Sequence, residues 1–270
     1  MFVYKKLAYI LYAFLVLFVI QPNLLFGVDE NSDFDLNFQK ADVQGTFVLY
    51  DVEQNKFEIY NNARSIKRYS PASTFKITNS LIGLATGTLK DVEELVPYIG
   101  PDNPFIPEWK RDMGLREAIK LSNVPIYQEL ARRIGLKQMK QHIVLLNYGN
   151  ENIGEHIDRF WLDGTLQISA LEQVLFLTKL AQKILPYSDK TQQSIHDILL
   201  LEQKKDLRLY GKTGWQNAPN EGIGWFVWWL EKSNKLYIFA LNIDIKSSLD
   251  AKKRVELSRA CLVSAGLLLN

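Results

Sequence analysis

Two long runs near the C-terminus constrain the fold more than any other part of the chain. Residues 222–231 (GIGWFVWWLE) and 235–245 (KLYIFALNIDI) are dense in aromatic and β-branched side chains, which pack well on a pleated surface. Ser233-Asn234 is a short polar turn between them, so the two runs predict an antiparallel hairpin. A shorter pair lies near the other end, residues 45–51 (GTFVLYD) and 56–60 (KFEIY), around a turn near Gln54-Asn55. The period between the two pairs is different. Residues 73–86, 114–121, 124–134 and 170–184 repeat apolar side chains at helical spacing, with Gly87 as a C-cap after the first. Residues 250–269 read as one more helix. Strands at both ends with helices between them predict an α+β fold of the α/β-sandwich type. One antiparallel sheet is built from N- and C-terminal strands, flanked by helices, with an inserted all-helical subdomain. The expected boundaries within a single domain are 28–72 and 208–270 for the sheet part and 73–207 for the mainly helical part.

The first 27 residues stand apart. Lys5 and Lys6 precede an uncharged apolar run over 7–20, and Gln21-Pro22-Asn23 interrupts it before Leu24, Leu25, Phe26 and Gly27. A basic start and an apolar stretch of about fourteen residues fit a secretory signal peptide better than a bilayer span. Cleavage is expected after Gly27, giving an exported, periplasmic bacterial protein without stable membrane insertion. The alternative is an uncleaved anchor. Removing residues 1–27 takes away two lysines and no acid, which leaves 30 basic against 30 acidic side chains. The densest basic run is only Lys252-Lys253-Arg254, so a nucleic-acid partner is not expected. Cys261 is the single cysteine, which excludes an intramolecular disulfide. His142, His156 and His196 are too scattered for a metal site, and no metal is expected. Oligomeric state is not written in these features.

The chemistry concentrates in two short motifs. Ser73-Thr74-Phe75-Lys76 heads the first predicted helix, where positions three apart share a face. The Ser73 hydroxyl and Lys76 amine therefore meet, and a serine hydroxyl needs such a base to become a nucleophile. A helix start also leaves backbone N–H groups free for a developing oxyanion. By itself S-x-x-K arises about once by chance in a chain of this composition. Lys212-Thr213-Gly214 changes the odds, because K-T-G occurs by chance in about one such chain in twenty. It falls just before the hairpin, where an edge strand could line a cleft. Glycine admits substrate to the backbone there, and Lys212 and Thr213 can hold a carboxylate. S-x-x-K followed by K-T-G is a signature of penicillin-interacting serine enzymes.

With Ser122-Asn123-Val124, Tyr148-Gly149-Asn150 and Trp161 in order between these motifs, the chain resembles the class D (oxacillinase-type) serine β-lactamases from about residue 40 onward. Class A enzymes carry S-D-N and a separate deacylating glutamate. Here Val124 takes the third position and no matching glutamate motif is present. The resemblance implies instead that Lys76 is carboxylated by CO2 or bicarbonate, with no other cofactor. Only a neutral amine adds CO2, so Lys76 needs an apolar pocket to lower its pKa. Phe75, Val124, Trp161 and Leu162 are expected to form it, with the Trp161 indole N–H donating to the carbamate.

The resemblance assigns the remaining roles. Carbamylated Lys76 takes the proton of Ser73, which attacks the β-lactam carbonyl, and the same base later activates water. Backbone N–H groups of Ser73 and Trp215 form the oxyanion hole. Ser122 relays a proton to the leaving nitrogen. Lys212, Thr213, Gly214 and Arg254 bind the substrate, with Val124, Tyr148 and Asn150 as further binding residues. Arg254 depends on the alignment of a variable loop over 246–253. That loop and the walls near Phe105 and Trp109 decide which β-lactams are accepted. Two alternatives share the acylation chemistry without turnover, a penicillin-binding D,D-peptidase and a β-lactam sensor domain.

Overall fold

The computed structural model of the chain describes residues 27–30, 32–216 and 222–269. The expected leader lies outside the described residues except for Gly27. Seven strands form one sheet: β1 (Gly27–Glu30), β2 (Gly45–Asp51), β3 (Lys56–Tyr60), β4 (Leu200–Lys204), β5 (Leu207–Gln216), β6 (Gly222–Lys232) and β7 (Lys235–Ile245). Their order is β1-β3-β2-β7-β6-β5-β4. Pairing is antiparallel except for β1, which runs parallel to β3.

The predicted hairpin is the centre of this sheet. Ser233 and Asn234 have φ of 50° and 63°, the left-handed pair that a two-residue turn needs to match the strand twist. The lack of polar alternation along β6 also finds its reason. Ile223, Trp225, Val227 and Trp229 enter one core, and Phe226, Trp228 and Leu230 enter the other. Both faces are covered, so neither can be polar.

Nine α-helices accompany the strands among the described residues: α1 (Ser32–Ala41), α2 (Asn62–Ser65), α3 (Lys76–Ala85), α4 (Leu115–Lys120), α5 (Val124–Ile134), α6 (Leu136–Leu145), α7 (Ala170–Ala181), α8 (Asp189–Leu199) and α9 (Ser248–Ser264). α1 and α9 cover one face of the sheet through Phe34, Phe38, Leu257, Cys261 and Leu262. The other face meets α7, and the core continues into the lobe built from α3 to α6 and α8.

The architecture is the expected α+β sandwich, with three differences in detail. The 73–207 segment is not one helical insertion, because α7 packs directly on β2, β6 and β7 and β4 joins the sheet edge. Residues 246–253 are not a loop: Ser247 caps α9 in a reciprocal pair with Asp250, so helix begins at Ser248. That helix also stops early, at Ser264, and Gly266 follows it at φ 72°. No helix of the described residues is long and apolar enough to cross a membrane.

Candidate active site

β5 brings the second motif to an open edge. β4 pairs only with residues 207–210 of β5, so from Gly211 onward this edge is free. The turn carrying Ser73 packs against it. Gly214 makes that approach feasible, since a Cβ there would stand 3.0 Å from the Pro71 carbonyl oxygen and 3.1 Å from Thr74 Cγ2. The glycine thus admits the turn that carries Ser73, besides the substrate that the sequence reading expects there.

Ser73 lies in a 3₁₀ turn, Ala72–Phe75, that runs into α3 at Lys76. Ala72 has φ 48°, a left-handed conformation that costs a non-glycine residue roughly 1 kcal/mol or more. Trp161 holds it there. The Trp161 carbonyl accepts from Ala72 N at 3.0 Å and from Ser70 Oγ at 2.8 Å. Within the turn, Lys76 Nζ is 2.8 Å from Ser73 Oγ.

Lys76 is completely buried. Burial holds its pKa well below the usual lysine range, and the nearby charge of Lys212 adds to the effect. Phe75 and Trp161 belong to the surrounding core, and their rings stack at 5.4 Å. Leu162 packs at the core margin, while Val124 lines the cleft mouth. Tyr127 was not foreseen. Its ring centre lies 5.5 Å from Lys76 Nζ and its hydroxyl meets Ser80 Oγ at 2.8 Å. The signal for it was its place on α5, one turn beyond Asn123. The buried indole N–H of Trp161 has no hydrogen-bond partner.

Ser122 stands between α4 and α5 at φ 53°. Asn123 caps α5 by accepting from Ile126 N at 3.1 Å. Across the cleft, Lys212 Nζ donates to Ser122 Oγ at 3.0 Å and to the Thr213 carbonyl at 2.9 Å. Burial, with Arg254 second, pushes the Lys212 pKa down to about 7. Arg254 rises from α9 and donates to the Gly214 carbonyl. Gly224 clears its path, because a Cβ there would lie 2.8 Å from Arg254 Cδ.

These groups meet in a cleft of about 660 Å³ lined by Ser73, Ser122, Val124, Gln128, Thr213, Gly214, Trp215 and Arg254. Phe105, 79% exposed, stands between Trp109 and Trp215 at ring distances of 6.4 and 6.3 Å and forms an aromatic wall.

Tyr148 and Asn150 do not line it. Tyr148 is buried behind the turn that carries Ser73, edge-on to Phe75. Asn150 ties its own loop, donating to the Thr165 carbonyl at 3.0 Å and accepting from Gln167 N at 3.0 Å. Gly149 between them has φ 60°, the conformation that favours glycine.

A serine within hydrogen-bond reach of a buried lysine, beside an unpaired strand edge, is the arrangement of a serine acyl-transfer enzyme. Residues 43–262 match the family model of the penicillin binding protein transpeptidase domain. The chain is 37% identical to β-lactamase OXA-5 of Pseudomonas aeruginosa, covering 95% of this chain and 97% of that protein. It is 38% identical to OXA-48 of Klebsiella pneumoniae over 81% and 82% of the two chains. Among solved structures, FUS-1 (OXA-85) of Fusobacterium nucleatum, a class D β-lactamase, superposes with a TM-score of 0.86 at 43% identity, covering 89% of this chain and all of that one. The C-terminal domain of the Bacillus licheniformis BlaR penicillin-receptor superposes at 0.85 with 29% identity, over 90% and 98%. The chain belongs to the class D β-lactamases, and as such is a serine hydrolase of the β-lactam ring.

Proposed function

We propose that the chain is exported, hydrolyses penicillin-like β-lactams through an acyl-enzyme on Ser73, and confers antibiotic resistance, with Lys76 carboxylated on Nζ. The observation that carries the carboxylation is the complete burial of Lys76, whose Nζ has a neutral hydroxyl, Ser73 Oγ, as its hydrogen-bond partner. A buried amine without a counter-ion is neutral and competent to add CO2. The pocket suits the product, since the orphaned indole N–H of Trp161 is a donor for a new anionic oxygen. Bound there, the carboxyl group would supply a general base.

The chain's own groups complete the reaction. Lys212, Thr213 and Arg254 hold the substrate carboxylate. Ser73 Oγ attacks the lactam carbonyl, with its own N–H and that of Trp215 donating to the oxyanion. The C–N bond breaks, and the nitrogen takes a proton through Ser122. Water then attacks the ester carbonyl and releases Ser73.

The test is hydrolysis of a chromogenic cephalosporin by the mature protein with and without bicarbonate. Turnover that rises with bicarbonate and disappears in Lys76→Ala supports the mechanism. Normal hydrolysis by Lys76→Ala would end it. Likeness to the BlaR receptor domain favours one other reading, a sensor, which would show stoichiometric acylation without turnover. Export is tested by the N-terminus of the periplasmic protein, expected at Val28. An intact Met1 on membrane-bound protein would favour an anchor instead.

A further inference from the structure

Tyr148 lies beneath the residue that follows the nucleophile. Its ring is wedged edge-on against Phe75 at 5.8 Å and Phe176 at 5.1 Å, and its hydroxyl faces Thr78, Thr74 and Gln173. Gln173 projects from α7 and is 1% exposed. Its Nε2 donates to Thr74 Oγ1 at 2.8 Å, and Thr74 Oγ1 donates onward to the Pro71 carbonyl at 2.7 Å. A polar chain thus runs from the sheet-covering helix into the turn that carries Ser73.

The position of this chain matters because the other hydrogen bonds that reach the turn from outside, among the described residues, lie ahead of Ser73. Trp161 holds Ala72 N and Ser70 Oγ, and Trp225 Nε1 donates to the Ser70 carbonyl at 2.8 Å. After Ser73, the Gln173 amide is the side chain that grips Thr74 from outside the turn. A left-handed Ala72 persists only while its surroundings over-determine it.

The hydroxyls of Tyr148 and Thr78 are buried, yet neither closes a hydrogen bond of ordinary length. Such groups destabilise a fold, and a phenylalanine at 148 would pack the same space without that penalty.

We propose that Gln173 is a positioning residue, whose amide holds Thr74 from below and thereby keeps Ser73 Oγ in register with Lys76. The inference rests on Ser73 being the nucleophile. Its signature is a loss of acylation rate without a loss of stability.

The experiment measures single-turnover acylation of Ser73 by a saturating chromogenic cephalosporin, alongside Tm, in wild type, Tyr148→Phe, Gln173→Met and the double variant. A misplacement of the nucleophile slows acylation by roughly 10- to 100-fold. That fall is expected in Gln173→Met at unchanged Tm, while Tyr148→Phe, which removes a hydroxyl that closes no hydrogen bond, keeps the wild-type rate with a Tm at or above wild type. The double variant should match Gln173→Met. Slowing in Gln173→Met at unchanged Tm supports the proposal. A wild-type rate in Gln173→Met, or slowing seen only with a matching drop in Tm, overturns it. A wild-type protein that is never acylated would overturn the nucleophile assignment itself, and that result is distinguishable from failure of the positioning role.

Discussion

At Lys212 two demands conflict. The side chain is buried to reach Ser122, and the proposed function needs it charged to attract a carboxylate. Burial and the Arg254 charge push its pKa down to about 7. Below that pH the free enzyme carries the ammonium, and above it the Coulombic attraction is lost. Because kcat/KM reports ionisations of the free enzyme, it is expected to fall as pH rises through about 7 for carboxylate-bearing substrates. Arg254→Ala removes the second cause of the shift, so the alkaline limb should move to higher pH while kcat/KM drops throughout. A pH–rate profile checks this, and an unmoved limb would show that Arg254 does not tune Lys212. The linked stability effect has a definite sign. Between about 7 and 10.5 the unfolded chain binds a proton that the fold does not, so this group makes stability rise with pH across that window.

β5 delivers Lys212, Thr213 and Trp215 to the cleft because β4 covers only its first part. Gly214 lets the same strand touch the turn that carries Ser73. Alanine there would meet the Pro71 carbonyl oxygen at 3.0 Å, a contact that obliges the turn to give way. Gly214→Ala is expected to slow acylation by about tenfold or more, with a smaller proportional effect on Tm. Stopped-flow acylation and a thermal melt check the pair of outcomes, and wild-type acylation would mean that the turn tolerates the shift. On β6, Gly224 serves the opposite purpose by letting the stem of Arg254 cross to the Gly214 carbonyl. Two glycines on neighbouring strands thus place a turn and a guanidinium on the same short stretch of edge.

The two lobes meet around His196. It is 4% exposed on α8, its Nε2 lies 2.9 Å from the Leu180 carbonyl on α7, and its ring packs against Tyr210 and Trp229 at 5.6 and 5.0 Å. Burial lowers its pKa, and His142 is lowered for the same reason. At pH values below the ordinary 6.5, the unfolded chain takes up protons before the fold does, so stability is lost as pH falls through that range. The urea midpoint should decrease between about pH 7 and about 5.5, and His196→Gln should flatten the decrease. Equilibrium unfolding at several pH values checks this, and an unchanged slope in the variant would assign the effect elsewhere.

The readings that the sequence supported by itself are all short-range. Spacing of three puts Ser73 against Lys76 whether the turn is α or 3₁₀. Aromatic and β-branched density around Ser233-Asn234 specifies a hairpin because neighbours along the chain decide it. The family motifs named Ser122, Val124, Thr213 and Gly214 by order, but not Gln128, which lines the cleft from α5. Only the tertiary structure decided which faces meet. Tyr127 lies under Lys76, Tyr148 sits behind the cleft rather than in it, and α7 belongs to the sheet layer. Each of these depends on packing between residues distant along the chain, and local periodicity says which side of an element is apolar but not which partner that side buries against.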